Sequence, residues 1–197
     1  MNLKGTQLCG IDEAGRGPLA GPLVMAGVIL TDQVEGLMDS KKLSEKKREI
    51  LYPQIINASR YHIVVFTHAQ IDEQGISYCL HEGLEQIKAS LPDASYLFDG
   101  NSTFGVESIE TMIKADAKIP EVSAASILAK VTRDRVMKDY ALDYPEYGFE
   151  KHKGYGTAAH VEAMRKYGRC AIHRHTFRVK ALDEILGTGD ETKLLVK

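Results

Sequence analysis

Two adjacent carboxylates, Asp12 and Glu13, follow a short apolar run in Cys9-Gly10-Ile11-Asp12-Glu13 and open onto Ala14-Gly15-Arg16-Gly17. Two further acids close apolar or short stretches in the same way: Asp99 in Tyr96-Leu97-Phe98-Asp99-Gly100, and Asp116 in Lys114-Ala115-Asp116-Ala117-Lys118. Carboxylates at the ends of neighbouring strands converge on one spot of an α/β sheet, where ligands usually bind. Several such groups cannot all ionise close together unless cations neutralise them. Hard divalent cations with oxygen ligands, Mg²⁺ or Mn²⁺, suit such a set. Two ions about 3.5–4 Å apart could activate water and stabilise the leaving oxygen of a phosphodiester. Taken singly, each Asp reads more simply as an ordinary turn residue; the metal reading rests on the set.

The glycines of the turn do not form a known nucleotide cradle. Gly15 to Gly21 has one residue too many for G-x-G-x-x-G, and Pro18 removes a backbone donor. No Gly-Lys-Ser/Thr follows, which excludes a P-loop. These glycines instead let backbone approach something closely.

The elements that must position these groups follow from hydrophobic pattern. Leu8 to Ile11, Leu23 to Leu30, Tyr61 to His68 and Tyr96 to Asp99 read as strands, and Val106 to Ile113 reads as strand or helix. Because successive strand residues point to opposite faces, Asp12 and Glu13 share a site only if the backbone turns there. Helices are predicted from Ser44 to about Ala58, with Ser44 as N-cap and Pro53 ending or kinking it. Others are predicted over Ile71 to Leu91, with a stripe of Ile76, Leu80, Leu84 and Ile87, and over Glu121 to about Tyr144. Thr157 to Tyr167 is a short helix capped by Gly168. Gly148 to Gly156 is read as a basic, glycine-bearing loop. Interleaved strands and helices imply an α/β fold, a mixed central sheet flanked by helices, with a small C-terminal helical region.

With 197 residues, 44% hydrophobic and 26% charged, the chain suits one domain, assigned to residues 1–186, followed by a frayed tail over 187–197. Three dispersed cysteines form no Cys-x-x-Cys pair, and no apolar run is long enough for a bilayer or a signal peptide. A cytoplasmic protein with no membrane association is expected. The net charge of −2 argues against a generally basic nucleic-acid binder. The distribution is uneven, however. Between Gly148 and Lys180 eight basic residues face two acids, and Lys41, Lys42, Lys46, Lys47 and Arg48 form another cluster. Such runs make solvated faces or phosphate-binding ones.

Six segments together resemble the ribonuclease HII family, the bacterial type 2 ribonucleases H, along nearly the whole chain. They are Gly10 to Pro22, Asp39-Ser-Lys-Lys-Leu-Ser44, Phe98-Asp-Gly100, Ala124 to Asp134, His152-Lys-Gly-Tyr-Gly-Thr157 and His173-Arg-x-Thr-Phe177. The resemblance implies an RNase H-like fold and a catalytic, metal-binding tetrad of Asp12, Glu13, Asp99 and Asp116. It implies Mn²⁺ or Mg²⁺, two ions during catalysis. Gly15, Arg16 and Gly17 would contact the 2′-hydroxyl and flanking phosphate of a ribonucleotide, the 2′-hydroxyl being the group that separates RNA from DNA. Tyr155 would pack at the RNA–DNA junction, while Lys41, Lys42, Ser126, Lys130 and Lys153 would contact the nucleic-acid backbone. Ser126 and Lys130, four apart, share a helix face. His152 and His173 are assigned structural or phosphate-contacting roles.

The implied reaction is hydrolysis 5′ of ribonucleotides in RNA/DNA hybrids and in ribonucleotide-containing duplex DNA, by a monomer, serving ribonucleotide excision and primer removal. Leu194-Leu195-Val196 lacks the aromatic pattern of a sliding-clamp docking peptide, so no protein partner is inferred. One departure is Ala115, where many relatives carry Gly before the Asp. A noncatalytic nucleic-acid module of the same fold should have lost an acid, and none is missing.

Overall fold

A computed structural model describes residues 7–37 and 43–178. Lys41, Lys42 and the tail 187–197 lie outside the described residues. Five strands form one mixed sheet: β1 (Gln7–Ala14), β2 (Leu23–Leu30), β3 (Ser59–Phe66), β4 (Ala94–Asp99) and β5 (Ile109–Met112), in the order β3-β2-β1-β4-β5. The first three strands pair antiparallel, whereas β4 runs parallel to both β1 and β5. β1 is therefore central, and its C-terminal end lies beside that of β4.

Alternation along β1 sends Cys9 and Ile11 to one face of the sheet. There they pack with Leu80, Leu84 and Ile87 of α3 (Ile76–Ser90) and Ile71 of α2 (His68–Gln74). The opposite face of the sheet, with Val24, Ala26 and Val28 of β2, is covered by α1 (Glu45–Asn57) and α4 (Pro120–Asp143). α4 buries residues around most of its circumference, including Ala124, Leu128, Arg133 and Met137, because it lies between the sheet and a third cluster. That cluster joins Met137 to Tyr147, Phe149, Met164 and Ile172, around α5 (Phe149–His152) and α6 (Ala158–Tyr167). Among the described residues no helix is long and apolar enough to cross a membrane.

Several boundaries differ from the sequence reading for local reasons. β1 continues to Ala14, so Asp12 and Glu13 lie within the strand, paired with Ala26 and Met25 of β2, not in a turn. The single helix expected over Ile71 to Leu91 is two, broken at Gly75, whose φ of 85° no helix accommodates. Pro53 does not end α1, which runs on to Asn57; it is exposed, so water can satisfy the carbonyl its ring leaves without a donor. Ser44 caps α1 as expected, its Oγ accepting the Lys47 N–H at 3.3 Å. The 148–156 segment holds the one-turn helix α5. Val106 to Ile113 contributes the strand β5.

Gly10 explains how closely α4 approaches the sheet. A Cβ there would fall 2.3 Å from the Glu121 carbonyl carbon and the Val122 nitrogen. Gly10→Ala must push α4 off β1, at a cost of about 1–3 kcal/mol. We expect the melting temperature to fall by roughly 4–8 °C; an unchanged Tm would show that the contact is soft.

The third cluster encloses a ring-proton relay. The Cys170 N–H donates to His173 Nδ1 at 2.8 Å, so this nitrogen carries a lone pair and the proton sits on Nε2. His173 Nε2–H then donates to His160 Nε2 at 3.0 Å, and His160 Nδ1–H donates to the Tyr155 carbonyl at 3.0 Å. Both rings are neutral and fully buried. Burial lowers the pKa of His160 to about 4 and that of His173 to about 3. An unfolded chain takes up these protons near the ordinary 6.5, so the stabilisation is complete above that pH and drains as pH falls toward 4. The loss is on the order of 1 kcal/mol per pH unit for each ring. Calorimetry from pH 7.5 to 5 should show a shallower decline in His173→Gln than in the wild type; parallel curves would refute the assignment.

Candidate active site

The carboxylate cluster is built by two parallel strands and the turn after a third. Ile11 of β1 pairs with Phe98 of β4, which sets Asp12 and Asp99 side by side at the next position. Asp99 in turn pairs with Met112 of β5. The chain leaves β5 through Lys114, in the left-handed region at φ 59°, and enters a 3-10 turn, Ala115–Ala117, that carries Asp116. Asp99 fastens this turn, its Oδ1 accepting the Lys114 N–H at 2.9 Å and its Oδ2 the Asp116 N–H at 3.4 Å. Ala115 is buried beside Leu97 and Val122, so the methyl it adds fills apolar space and Asp116 stays in register with the cluster.

Asp12, Asp99 and Asp116 each present a carboxylate oxygen within 4.8 Å of the others. Glu13, next along β1, turns its Oε1 to Arg16 Nη2 at 2.9 Å and forms the adjoining wall. One cavity of about 440 Å³ is lined by Asp12, Glu13, Gly15, Arg16, Gly17, Arg48, Asp99, Ser126, Lys130 and Tyr155, together with Ala14. Asp116 is buried and does not line this cavity.

Burial, then the charges of Glu13 and Asp99, pushes the Asp12 carboxyl well above the usual carboxylate range, against an opposing hydrogen bond from Ser126. Its Oδ1 also accepts the Glu13 N–H at 2.7 Å. Lys130 is bonded to Asp134 Oδ1 at 2.6 Å, and burial lowers its pKa. A set of hard oxygen donors in which the Asp12 carboxyl resists ionisation fits a divalent cation, which would displace the Asp12 proton.

The expected substrate contacts divide three ways. Gly15, Arg16, Gly17, Ser126, Lys130 and Tyr155 all reach the cavity. Lys41 and Lys42 lie outside the described residues. Lys153 does not line the cavity: it is buried at the end of α5, its Nζ donating to the Glu150 carbonyl and lying 3.8 Å from Glu45 Oε2. Arg174, counted above in the basic region, is likewise fully buried. The surface charge of that region is accordingly smaller than its sequence suggests. Arg48 is a cavity residue that the sequence placed only in a basic cluster, because α1 carries it to the site from far along the chain.

The sign of the Asp12 shift makes a prediction. A carboxyl raised in the folded state opposes folding once pH exceeds its ordinary value, since the unfolded chain ionises more easily. Asp12→Asn should therefore raise the Tm of cation-free protein at pH 7 by about 2–4 °C, for about 1 kcal/mol. Mg²⁺ or Mn²⁺ should then stabilise the wild type more than the variant. A lower Tm for the variant in chelator would overturn this account of the site.

The comparisons with known proteins agree with this geometry. The sequence model of the family described as Ribonuclease HII matches residues 9–180. The chain is 66% identical over 177 residues to the ribonuclease HII of a Sulfurovum species, covering 90% of this chain and 94% of that one. It is 59% identical to that of Aliarcobacter butzleri, covering 90% and 93%. Among solved structures it is similar to the ribonuclease HII in a complex with PCNA from Archaeoglobus fulgidus, with TM-score 0.74 and 29% identity over 85% of this chain and 92% of that one. The ribonuclease H2 of Pyrococcus horikoshii gives TM-score 0.69 and 30% identity over 87% and 94%. With its RNase H-like α/β fold and its cluster of carboxylates at the strand ends, the chain belongs to the ribonuclease HII family and is a type 2 ribonuclease H, an endoribonuclease.

Proposed function

We propose that the enzyme cuts the phosphodiester on the 5′ side of a ribonucleotide, both in RNA/DNA hybrids and where single ribonucleotides are embedded in duplex DNA, leaving 3′-hydroxyl and 5′-phosphate ends. The observation that supports this most is the meeting of three parts in one cavity: the carboxylates, the Gly15–Gly17 turn and Tyr155. Asp12, Asp99 and Asp116, with Glu13 beside them, would hold Mg²⁺ or Mn²⁺, two ions during catalysis. When bound, these ions supply an activated water and charge stabilisation at the departing 3′ oxygen.

The residues of the chain do the positioning. Ser126 orients the Asp12 carboxylate through its hydrogen bond. Lys130 and Arg48 place positive charge along the cavity wall, where a phosphodiester backbone would run. Gly15, Arg16 and Gly17 offer backbone and guanidinium donors to the 2′-hydroxyl and its phosphate. Tyr155, half-exposed at the cavity edge, presents an aromatic face to the sugar or base at the RNA–DNA junction. Lys41 and Lys42 are assigned to backbone phosphates. The buried side chain of Lys153 gives it a structural role through Glu150 and Glu45. The enzyme would act as a cytoplasmic monomer that removes misincorporated ribonucleotides and primer RNA.

The test uses a labelled DNA duplex carrying one ribonucleotide, incubated with enzyme in Mg²⁺, Mn²⁺ or chelator, with an all-DNA duplex and Asp12→Asn as controls. Cation-dependent cutting 5′ of the ribonucleotide is expected, with the variant at least about 100-fold slower. Cutting of the all-DNA duplex would sink the 2′-hydroxyl readout, and full activity in Asp12→Asn would remove that residue from the reaction.

A further inference from the structure

The segment His173-Arg-x-Thr-Phe177 touches neither the cavity nor the carboxylates, yet it carries a fully buried guanidinium. Arg174 donates from Nη2 to the Gly15 carbonyl at 2.6 Å, from Nη1 to the Arg16 carbonyl at 3.1 Å and from Nε to the Gly21 carbonyl at 3.0 Å. Arg133, also fully buried, donates to the carbonyls of Pro22 (2.9 Å), Ala20 (3.1 Å) and Lys153 (2.9 Å), and its guanidinium lies 5.6 Å from the centroid of the Tyr155 ring. Neither guanidinium forms an ion pair among the described residues. Burying a cation without a carboxylate partner is costly, and here peptide carbonyls and the ring faces of Tyr155 and, for Arg174, Phe177 (4.9 Å) compensate it.

The direction of these bonds has a consequence for the loop. All peptides are trans, so a carbonyl and the following N–H point in opposite directions. With the Gly15 and Arg16 carbonyls held on Arg174, the N–H groups of Arg16 and Gly17 face away from it, and the turn that carries them lines the cavity. Gly15 makes the arrangement possible: its φ is 100°, and a Cβ would fall 2.3 Å from Arg133 Nε. The neighbouring residue, His173, reaches the other reading element, since its relay through His160 ends on the Tyr155 carbonyl. The two are spliced by backbone as well, through Arg174 N–H to the Leu19 carbonyl at 2.8 Å and Leu19 N–H to the Gly154 carbonyl at 2.9 Å.

We infer that Arg174 is a positioning residue for ribonucleotide recognition: it aims the Arg16 and Gly17 amides at the substrate, and with His173 it sets the spacing between that turn and Tyr155. This rests on the reading that Gly15–Gly17 and Tyr155 sense the ribonucleotide. Buried cations behind amides that face away from them suit a phosphate, whose negative charge complements both. The loop is held from outside by Asp72 of α2, which accepts the N–H groups of His175 (2.7 Å) and Thr176 (3.0 Å) and the Thr176 hydroxyl (2.6 Å).

The experiment measures dissociation constants, by fluorescence anisotropy in Ca²⁺, for a duplex with one ribonucleotide and for the same duplex in DNA. The readout is their ratio. Arg174→Lys keeps the charge but gives up the fork, and should shrink the preference about tenfold while all-DNA binding stays within about twofold. Because Arg174 is buried, Asp72→Ala provides a second route: it loosens the same loop from the surface and should shrink the ratio about threefold, with Asp72→Asn intermediate. The cation-induced rise in Tm should persist in all three. A folded variant set with the wild-type ratio would overturn the inference, as would equal weakening of both duplexes, which marks a merely structural role. A wild-type ratio near one would instead defeat the ribonucleotide-sensing reading itself, and this inference with it.

Discussion

Mutual repulsion among buried carboxylates is the constraint on which the arrangement of this protein depends. Asp12 is almost wholly buried, and Asp99 and Asp116 each bring an oxygen within 4.8 Å of it and of each other. Nothing about three like charges favours that convergence, so the fold must impose it. It does so with rigid parts: the parallel pairing of β1 with β4, the two amides that Asp99 draws from the turn carrying Asp116, and the backbone of α4 seated against Gly10. A divalent ion would relieve the electrostatic strain that results, which is what fits the site to a cation. Stability and function are opposed at Asp12, as they commonly are where a fold concentrates charge for chemistry.

A second device orients the neighbouring loop. The connection from β1 to β2 has little regular structure of its own, and two buried guanidinium groups hold it by its carbonyls. Arginine suits this task because its planar fork serves several acceptors at once and keeps its charge when buried. The amides of Arg16 and Gly17 are left facing away from Arg174. The histidine relay connects the same C-terminal segment to the tyrosine loop, so a stretch that never meets the cavity determines the geometry of two walls of it.

Basic residues illustrate why composition alone misjudges a nucleic-acid surface. Arg174 and Lys153 belong to the run of positive charge near the C-terminus, yet both side chains are buried and spend their donors on backbone carbonyls. Arg48, by contrast, belongs to a cluster separated from the carboxylates in sequence and stands in the cavity wall. Whether a cation is a strut or a phosphate contact depends on what packs around it, which spacing along the chain does not encode.

The sequence by itself determined most of the scaffold and marked the acids to which the chemistry is assigned. The apolar runs of β2 and β4, the core stripe of α3, the caps of α1 and α6, and the acids at Asp12, Glu13, Asp99 and Asp116 are local features, legible because period, capping and turn chemistry act over a few residues. The tertiary structure alone decided that β1 runs on through Glu13, because pairing with Met25 of β2 holds the acids in the strand. It likewise decided that Pro53 stays inside α1 on its exposed side, that Asp116 joins the cluster despite Ala115, and that Arg133 and Arg174 turn inward. Those outcomes depend on contacts between separate segments, for the two arginines more than a hundred residues apart, as in Arg174 with Gly15, and on the energy of burying charge where backbone carbonyls can receive it.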